Sequence, residues 1–183
     1  KVPAVHLAGT NGKGSTARLL ESCLREAGYK TGLYTSPHVL CFSERIRVNG
    51  ENISKQELCS LTQKVQSAEA KLGLRLNYFQ IVTALAFLYF AKSNCEIAVL
   101  ETGLGGRLDP TNVLKAPLVS IITAIGLDHI ELLGSSLSLI AREKAGIIKP
   151  CCDTVLLKQY AQVEAVILDA CAKQNSRLFF AEK

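Results

Sequence analysis

The sequence lacks a hydrophobic run long enough to cross a lipid bilayer. Its longest apolar stretch, residues 81–91, is much shorter than the roughly 20 residues of a transmembrane helix, and Thr83 interrupts it. No secretory signal peptide is evident at the N-terminus. We therefore predict a buried helix for this stretch and expect no membrane partner.

The sequence contains no methionine, and it begins at Lys1 without an initiator methionine. We expect on this ground that it is part of a longer polypeptide. Its 183 residues, 48% of them apolar and 20% charged, suffice for a globular domain with a substantial core. Internal repeats and low-complexity linkers are also missing, so we expect a single domain over residues 1–183.

Paired C-x-x-C spacings are absent as well. The seven cysteines are scattered and odd in number, which does not fit a disulfide framework or a zinc site and favours a reducing, cytoplasmic compartment. The adjacent Cys151 and Cys152 suggest a redox pair, but small apolar packing after a proline explains them more simply.

A concentrated basic surface is the last feature that the sequence lacks. The net charge of +5 comes from dispersed lysines and arginines, and no basic cluster is interleaved with aromatic residues. Nucleic acid is therefore not an expected partner, whereas small acidic ligands fit this charge balance.

What the sequence does contain is a glycine-rich segment between an apolar run and a helical pattern. Glycines let the backbone approach an anion, the first N–H groups of a helix point at it, and Lys13 adds positive charge. The segment departs from the strict Walker pattern, because Leu7 holds the first glycine position and Gly14 follows Lys13. The phosphate-binding residues that we predict are Gly9, Thr10, Asn11, Gly12, Lys13, Gly14 and Ser15.

A dinucleotide-binding loop is the competing interpretation, because residues 12–17 also fit G-x-G-x-x-[GA]. That interpretation expects an acidic residue about 20 positions later, at the end of the next strand. Residues 29–36 contain no carboxylate, so NAD binding is disfavoured. A turn that binds nothing is less consistent still, since it has no need of Lys13 beside Ser15 and Thr16.

Apolar periodicity predicts alternating strands and helices, which is typical of an α/β, mostly parallel, doubly wound sheet. The predicted strands span residues 4–9, 31–34, 97–101, 118–123, 154–157 and 177–180, with a small hairpin at 45–50. The predicted helices span about 17–27, 54–73, 78–92, 137–146 and 162–173.

Polar residues follow four of the predicted strands at their carboxyl ends, where such sheets bind ligands. The glycine-rich segment follows the first strand, and Ser36, Glu101 and Asp128-His129 follow the next three. At the end of such a strand, where Glu101 stands, a P-loop enzyme presents a carboxylate to Mg²⁺. The hydroxyl of Ser36 would be a second hard ligand for this ion. Imidazole suits softer metals, so orienting a carboxylate or water is an alternative role for His129.

Five motifs in this order resemble the folylpolyglutamate synthase/dihydrofolate synthase branch of the Mur ligases. They are GTNGKGS at 9–15, YTSPH at 34–38 with Glu44-Arg45, LETGLGGRLDPTN at 100–112, LDH at 127–129 and REKAGI at 142–147. The wider Mur ligase family shares the loop, the strand-end glutamate and the lysine. The run over 103–112 is the one that indicates the folate branch.

The resemblance implies a P-loop, Mur-ligase-like ATPase domain within an ATP-dependent ligase. Such an enzyme joins L-glutamate to dihydropteroate or a reduced folate through an acyl phosphate, and the complete enzyme is expected to be a monomer. The C-terminal domain that helps bind ATP and glutamate in the family is not in this chain, so we expect this polypeptide alone to be inactive. A truncated, non-catalytic ATP-binding module and a Mur-type ligase with another carboxylate acceptor are the alternatives.

The resemblance also assigns roles to individual residues. It implies that Lys13, His129 and Lys144 are catalytic. It places two Mg²⁺ ions on Ser36, Glu101, His129 and a carbamylated Lys144. The substrate-binding residues that it implies are Asn77, Tyr78, Phe79, Leu108, Asp109 and Pro110.

The residue pattern alone gives plainer interpretations of three of these. Tyr78 and Phe79 are typical of core residues at a helix start, and Lys144 is typical of a solvated helix face. Gln80 stands where many bacterial members have glutamate, which puts a charge-based substrate contact there in doubt.

Overall fold

A computed structural model of the protein describes residues 2–182, in which eight strands form one sheet. The strands are β1 (Ala4–Ala8), β2 (Thr31–Tyr34), β3 (Ile46–Val48), β4 (Glu51–Asn52), β5 (Ile97–Glu101), β6 (Val119–Ile122), β7 (Asp153–Leu157) and β8 (Leu178–Ala181). Their order across the sheet is β4-β3-β2-β5-β1-β6-β7-β8. The six strands from β2 to β8 in this order are parallel, and β3 and β4 continue the sheet antiparallel. The predicted mostly parallel α/β sheet is confirmed.

Six helices connect these strands. They are α1 (Lys13–Glu26), α2 (Lys55–Leu72), α3 (Tyr78–Lys92), α4 (Ile130–Leu133), α5 (Leu137–Ala145) and α6 (Ala161–Gln174). Two 3-10 turns occupy Phe42–Arg45 and Pro110–Val113. The sequence did not predict α4 or the 3-10 turns, because a single turn is too short to show a helical period.

The two faces of the sheet pack against different helices. Val5 and Leu7 of β1 pack with Leu33 and Val99 under α1. Successive side chains of a strand point to opposite faces. On the other face, Ala8 therefore packs in a cluster with residues of α5 and α6. A second cluster on that face contains Ala4 and residues of α2 and α3. Each large aliphatic side chain buried in this way contributes roughly 1.5–3 kcal/mol. Helices on both faces are the signature of a doubly wound sheet.

Local capping fixes the ends of α2 and the start of α3. Ser54 Oγ accepts a 3.1 Å hydrogen bond from Glu57 N, and Gly73 ends α2 with a positive φ of 63°. At α3, Asn77 Oδ1 accepts from Gln80 N at 2.9 Å while Gln80 Oε1 accepts from Asn77 N at 2.8 Å. Gln80 therefore completes a reciprocal capping box, which explains an amide at this position without any substrate contact.

No helix within residues 2–182 is long and apolar enough to cross a membrane. All seven cysteines are free thiols.

Candidate functional site

The four strands that carry the predicted polar residues lie side by side, in the order β2-β5-β1-β6. The loops that follow them therefore meet at one edge of the sheet. Strands β2 to β5 lie on one side of β1, and strands β6 to β8 lie on the other. The edge therefore contains a topological switch point of the sheet, which is the usual place for a ligand in an open α/β fold.

The glycine-rich loop after β1 is held by the segment that follows β6. Thr10 N and Asn11 N donate to the carbonyl oxygen of Ala124 at 2.7 and 3.2 Å. The Thr10 hydroxyl bonds both the N–H and the carbonyl of Gly126, each at 3.1 Å. Gly12 then adopts a left-handed conformation, φ 87°, and turns the chain into α1. These bonds hold the loop against the segment that follows β6.

The start of α1 has the features of an anion site. The N–H groups in the first turn of a helix have no acceptor within the helix, and the helix dipole adds positive potential there. Lys13 Nζ donates to Gly9 O at 2.9 Å and to Thr10 O at 3.2 Å, so its charge lies inside the loop. The predicted phosphate-binding residues thus lie together at the start of α1, and their role stays a prediction.

Glu101 ends β5 beside this turn, and it is buried, with 3% of its surface exposed. A Cβ on Gly14 would lie 3.4 Å from Glu101 Oε2, so the helix start packs directly on the carboxylate. Glu101 Oε2 accepts from Ser36 N at 3.0 Å. Burial raises the pKa of Glu101, and the Ser36 N–H and the charges of Lys13 and Arg18 oppose that rise.

A cavity of about 320 Å³ connects the loop with this carboxylate. Its lining residues come from the glycine-rich loop, from α1 and from the ends of β2 and β5. They are Gly12, Gly14, Ser15, Arg18, Thr35, Ser36, Pro37, Val39 and Glu101.

A second cavity, of about 640 Å³, adjoins the first. All six residues predicted to bind substrate line it: Asn77, Tyr78, Phe79, Leu108, Asp109 and Pro110. Ser36 and Pro37 line both cavities, so the two meet at the end of β2. Two ligands held in these cavities would approach each other at this point.

Arg45 is a buried, charged lining residue of the larger cavity to which the sequence assigned no role. It is 9% exposed, and its Nε donates to His38 Nδ1 at 2.9 Å. Its guanidinium carbon lies 5.9 Å from the ring centroids of both Phe42 and Tyr78. It makes no ion pair with any residue between 2 and 182. The only signal in the sequence was its place in the Glu44-Arg45 motif.

Asp109 has both carboxylate oxygens engaged within the protein. Oδ2 accepts from Gly103 N at 2.8 Å and Leu104 N at 2.9 Å. Oδ1 accepts from the N–H of Thr111 at 2.9 Å and from its hydroxyl at 2.5 Å. These bonds hold Asp109 in the cavity wall, where it shapes the loop that lines the cavity.

Lys144 is buried, with 4% of its surface exposed, so the interpretation as a solvated helix face is wrong. Its Nζ donates to Gly9 O at 2.7 Å, which brings α5 against the glycine-rich loop. Burial, together with the charge of Lys13, lowers its pKa to about 8, against the opposing effects of Asp128 and Asp109. Periodicity on one helix cannot reveal such burial, because the covering loop comes from the other end of the chain.

His129 lies on the same edge but outside both cavity linings. It is the N-terminal cap of α4 with a positive φ of 47°, and its Nε2 is 3.7 Å from Asp128 Oδ2. Residues 2–182 contain no cluster of three His, Cys, Asp or Glu side chains suited to a metal ion. The donor set at the loop is instead one carboxylate and hydroxyls, which suits Mg²⁺ completed by phosphate oxygens and water.

Comparison with known proteins agrees with this geometry. Residues 7–181 match the family described as the Mur ligase middle domain. A dihydrofolate synthase/folylpolyglutamate synthase of Bacillus subtilis (strain 168) is 48% identical over 155 residues, 81% of this chain and 36% of that protein. A solved FPGS-AMPPCP-folate complex matches with a TM-score of 0.95 and 36% identity, over 98% of this chain and 45% of its own. E. coli FolC in complex with DHPP and ADP matches with a TM-score of 0.91 and 36% identity, over 97% and 42%.

The chain thus spans 36% of that curated relative and less than half of either solved chain. The family match itself covers nearly all of the residues that the structure describes. The chain therefore belongs to the folylpolyglutamate synthase/dihydrofolate synthase family, of which it contains the Mur ligase middle domain.

Proposed function

We propose that this chain is the ATP-binding part of a ligase that adds L-glutamate to dihydropteroate, to reduced folates, or to both. The observation that carries the proposal is the pair of cavities that share Ser36 and Pro37. One cavity has the charge and backbone of a phosphate site. The other has an aromatic wall and the guanidinium of Arg45, which makes no ion pair within residues 2–182. A phosphoryl donor and a carboxylate acceptor need this kind of juxtaposition.

The nucleotide phosphates bind the glycine-rich loop. The first N–H groups of α1 and the ammonium of Lys13 offset the repulsion between ATP and an approaching carboxylate. Complexes with AMPPCP and with ADP among the solved relatives support this assignment.

Glu101 and Ser36 are the residues that would hold Mg²⁺ at the phosphates. The buried carboxylate, raised in pKa by its surroundings, gains a counter-charge when a cation binds. When bound there, Mg²⁺ would supply charge withdrawal from the phosphate oxygens. His129 is placed on the same edge and remains a candidate for a second ion.

The acceptor occupies the larger cavity. Tyr78 and Phe79 offer flat apolar surface to a ring system, and Arg45 offers the charge that an anionic acceptor needs. A carboxylate oxygen of the acceptor attacks the terminal phosphorus of ATP and releases ADP. The amino group of glutamate then attacks the acyl phosphate carbon and releases phosphate. Folate in one solved relative and DHPP in another support this class of acceptor.

Lys144 is a candidate for carbamylation. Its lowered pKa, about 8, leaves more neutral amine near neutral pH than an ordinary lysine has. The neutral nitrogen attacks carbon dioxide, an N–C bond forms, and loss of one proton leaves an anionic carbamate. The product carries oxygen donors in place of an ammonium, which would suit a second Mg²⁺.

The test is ADP release by the complete gene product with ATP, Mg²⁺ and glutamate. Dihydropteroate, tetrahydrofolate and no acceptor are compared. Release that requires glutamate and either pterin supports the ligase and identifies its acceptor. Release that requires glutamate but neither pterin would favour a Mur-type ligase with another acceptor, and nucleotide binding without turnover would favour a non-catalytic module. A cytoplasmic location, which the free thiols support, and a monomeric complete enzyme stay predictions.

A further inference from the structure

His6 is a buried polar residue that the proposed chemistry does not use. It lies on the central strand β1, and its ring is fully buried. Its Nε2 lies 2.8 Å from the hydroxyl oxygen of Thr111, which is 105 residues later in the chain. Burying a polar ring in the middle of a sheet costs free energy unless the ring is hydrogen-bonded. This contact therefore offsets part of the cost of burying the ring.

Counting hydrogen atoms fixes the direction of this contact. Four donors converge on the Asp109 carboxylate, so it acts as an acceptor, and the hydrogen of the Thr111 hydroxyl points to it across 2.5 Å. The Thr111 oxygen must then accept from His6, whose proton lies on Nε2. Nδ1 is left bare, and it has no partner among residues 2–182. Burial, with a smaller contribution from Lys149, lowers the pKa of His6 to about 3, which keeps the ring neutral.

The hydrogen bonds that begin at His6 and pass through Thr111 and Asp109 end in the wall of the larger cavity. Asp109 Oδ2 holds the N–H groups of Gly103 and Leu104, and all three residues line that cavity. The wall is tightly packed, because a Cβ on Gly103 would lie 2.3 Å from Phe79 Cζ. A small displacement of Asp109 would therefore change the shape of the cavity beside Phe79.

We propose that His6 is a positioning residue for the larger cavity: its Nε2–H orients Thr111, Thr111 orients Asp109, and Asp109 holds the Gly103-Leu104 wall in its binding shape. The proposal rests on the proposed function only in taking the occupant of this cavity to be the acceptor. A residue that merely fills the core would act on stability and on both substrates alike.

Two substitutions of His6 separate these roles. The side-chain amide of His6→Gln reaches the place of Nε2 and can still donate to Thr111, whereas that of His6→Asn reaches only the place of Nδ1. In the complete gene product we expect His6→Asn to raise the acceptor KM about tenfold, in line with the loss of one buried hydrogen bond. We expect the KM for ATP to stay within about twofold, and His6→Gln to recover most of the acceptor KM.

Thr111 provides a second pair in case the His6 variants fail to fold. Thr111→Val keeps the shape but removes the hydroxyl, and Thr111→Ser keeps the hydroxyl. We expect Val to raise the acceptor KM and Ser to leave it close to that of the wild type. The proposal is overturned if His6→Gln raises the acceptor KM as much as His6→Asn does, and Thr111→Ser as much as Thr111→Val. It is also overturned if the KM values for the acceptor and for ATP rise together. Either result would show that His6 is a packing residue.

Nitrogen-15 NMR of selectively labelled histidine tests the proton assignment without any turnover. The His6 signal is identified by its loss in whichever His6 variant folds. We expect one protonated nitrogen, Nε2, and one bare nitrogen, Nδ1, with no titration between about pH 5 and 8. A proton on Nδ1, or titration near the ordinary histidine pKa, would overturn the proposed hydrogen-bond chain from His6 through Thr111 to Asp109. Absence of pterin-dependent ADP release in the wild type would instead contradict the proposed function. The NMR spectrum would still show whether His6 donates to Thr111 as proposed.

Discussion

Lys144 Nζ donates a 2.7 Å hydrogen bond to the carbonyl oxygen of Gly9, across 135 residues of sequence. Lys13 Nζ donates to the same oxygen at 2.9 Å, so two amines from opposite ends of the chain share one acceptor. Their mutual repulsion adds to burial in lowering the pKa of Lys144. The glycine-rich loop and helix α5 are thus electrostatically coupled.

The first prediction follows from this pKa. A lysine with a pKa of about 8 is half neutral at pH 8, whereas an ordinary lysine is less than about 1% neutral there. Lowering the pH below 8 protonates the amine and disfavours the carbamate. We therefore expect ADP release by the complete gene product to rise with bicarbonate concentration and, at fixed bicarbonate, from pH 7 to pH 8.5, which a rate assay in carbon-dioxide-free buffer with added bicarbonate measures.

Variants of α5 provide the control for this dependence. Lys144→Ala should abolish the bicarbonate response and lower the rate by roughly 10²-fold, as expected for a lost charge-stabilising group. Arg142→Ala changes an exposed residue of the same helix and should leave both unchanged. A bicarbonate response that persists in Lys144→Ala would remove the carbamate hypothesis.

The second prediction concerns Glu101→Gln. The amide oxygen can still accept from Ser36 N, so the fold is preserved while the negative charge is lost. We expect the Mg²⁺ concentration for half-maximal ADP release to rise and the maximal rate to fall roughly 10²-fold.

The pH profile sharpens this test. Burial raises the pKa of Glu101, so the wild-type carboxylate is protonated, and loses Mg²⁺, at a higher pH than an ordinary glutamate. The apparent Mg²⁺ affinity of the wild type should weaken as pH falls below neutral, and that of Glu101→Gln should weaken less over the same range. Equal Mg²⁺ dependence in the two proteins would contradict the metal assignment.

The third prediction concerns Arg45, whose guanidinium lines the larger cavity and makes no ion pair with the part of the chain that the structure describes. Arg45→Met removes the charge but keeps much of the apolar stem, and Arg45→Lys keeps the charge but loses the flat stacking surface. We expect acceptor KM to rise at least tenfold for Met and less for Lys, with ATP binding unchanged. Arg75→Met, at an exposed site, is the matched control. An unchanged acceptor KM in Arg45→Met would exclude Arg45 from acceptor binding.

The fourth prediction concerns Gln159, which holds the segment that anchors the glycine-rich loop. Its Oε1 accepts from Ile125 N at 2.8 Å, and its Nε2 donates to Thr123 O at 3.1 Å and Leu157 O at 2.9 Å. Gln159→Glu keeps the acceptor but loses both donors and places charge against two carbonyl oxygens. We expect it to weaken AMPPCP binding about tenfold by calorimetry, in line with one or two lost hydrogen bonds.

The acceptor site and a neighbouring residue give the controls for Gln159. The acceptor KM should stay unchanged, because the residues that Gln159 contacts do not line the larger cavity. Lys158→Ala, at the exposed preceding position, should bind AMPPCP normally. Normal AMPPCP binding by Gln159→Glu would show that the 123–126 segment holds the loop without it.

Much of the fold was predictable because its signals are local. The apolar runs of β1 and β5, the capping serine at position 54 and the glycine at position 73 each specify a strand or a helix end from neighbouring residues alone. Residues 78–92 were predicted as a helix with the bounds that the structure has.

The sequence by itself also determined the contents of the site. Parallel strands must deliver their carboxyl ends to one edge, so the order of elements was enough to bring the glycine-rich loop, Ser36 and Glu101 to that edge. The resemblance supplied Asn77 to Phe79 and Leu108 to Pro110, which line one cavity.

Only the tertiary structure decided which polar groups are buried and what they contact. Lys144 has the pattern of an exposed helix residue, and His6 and Arg45 carry no local sign of their partners. Burial and hydrogen bonding at these positions depend on segments up to 135 residues away. No local pattern encodes such contacts, because desolvation and pKa are properties of the packed environment rather than of the side chain alone.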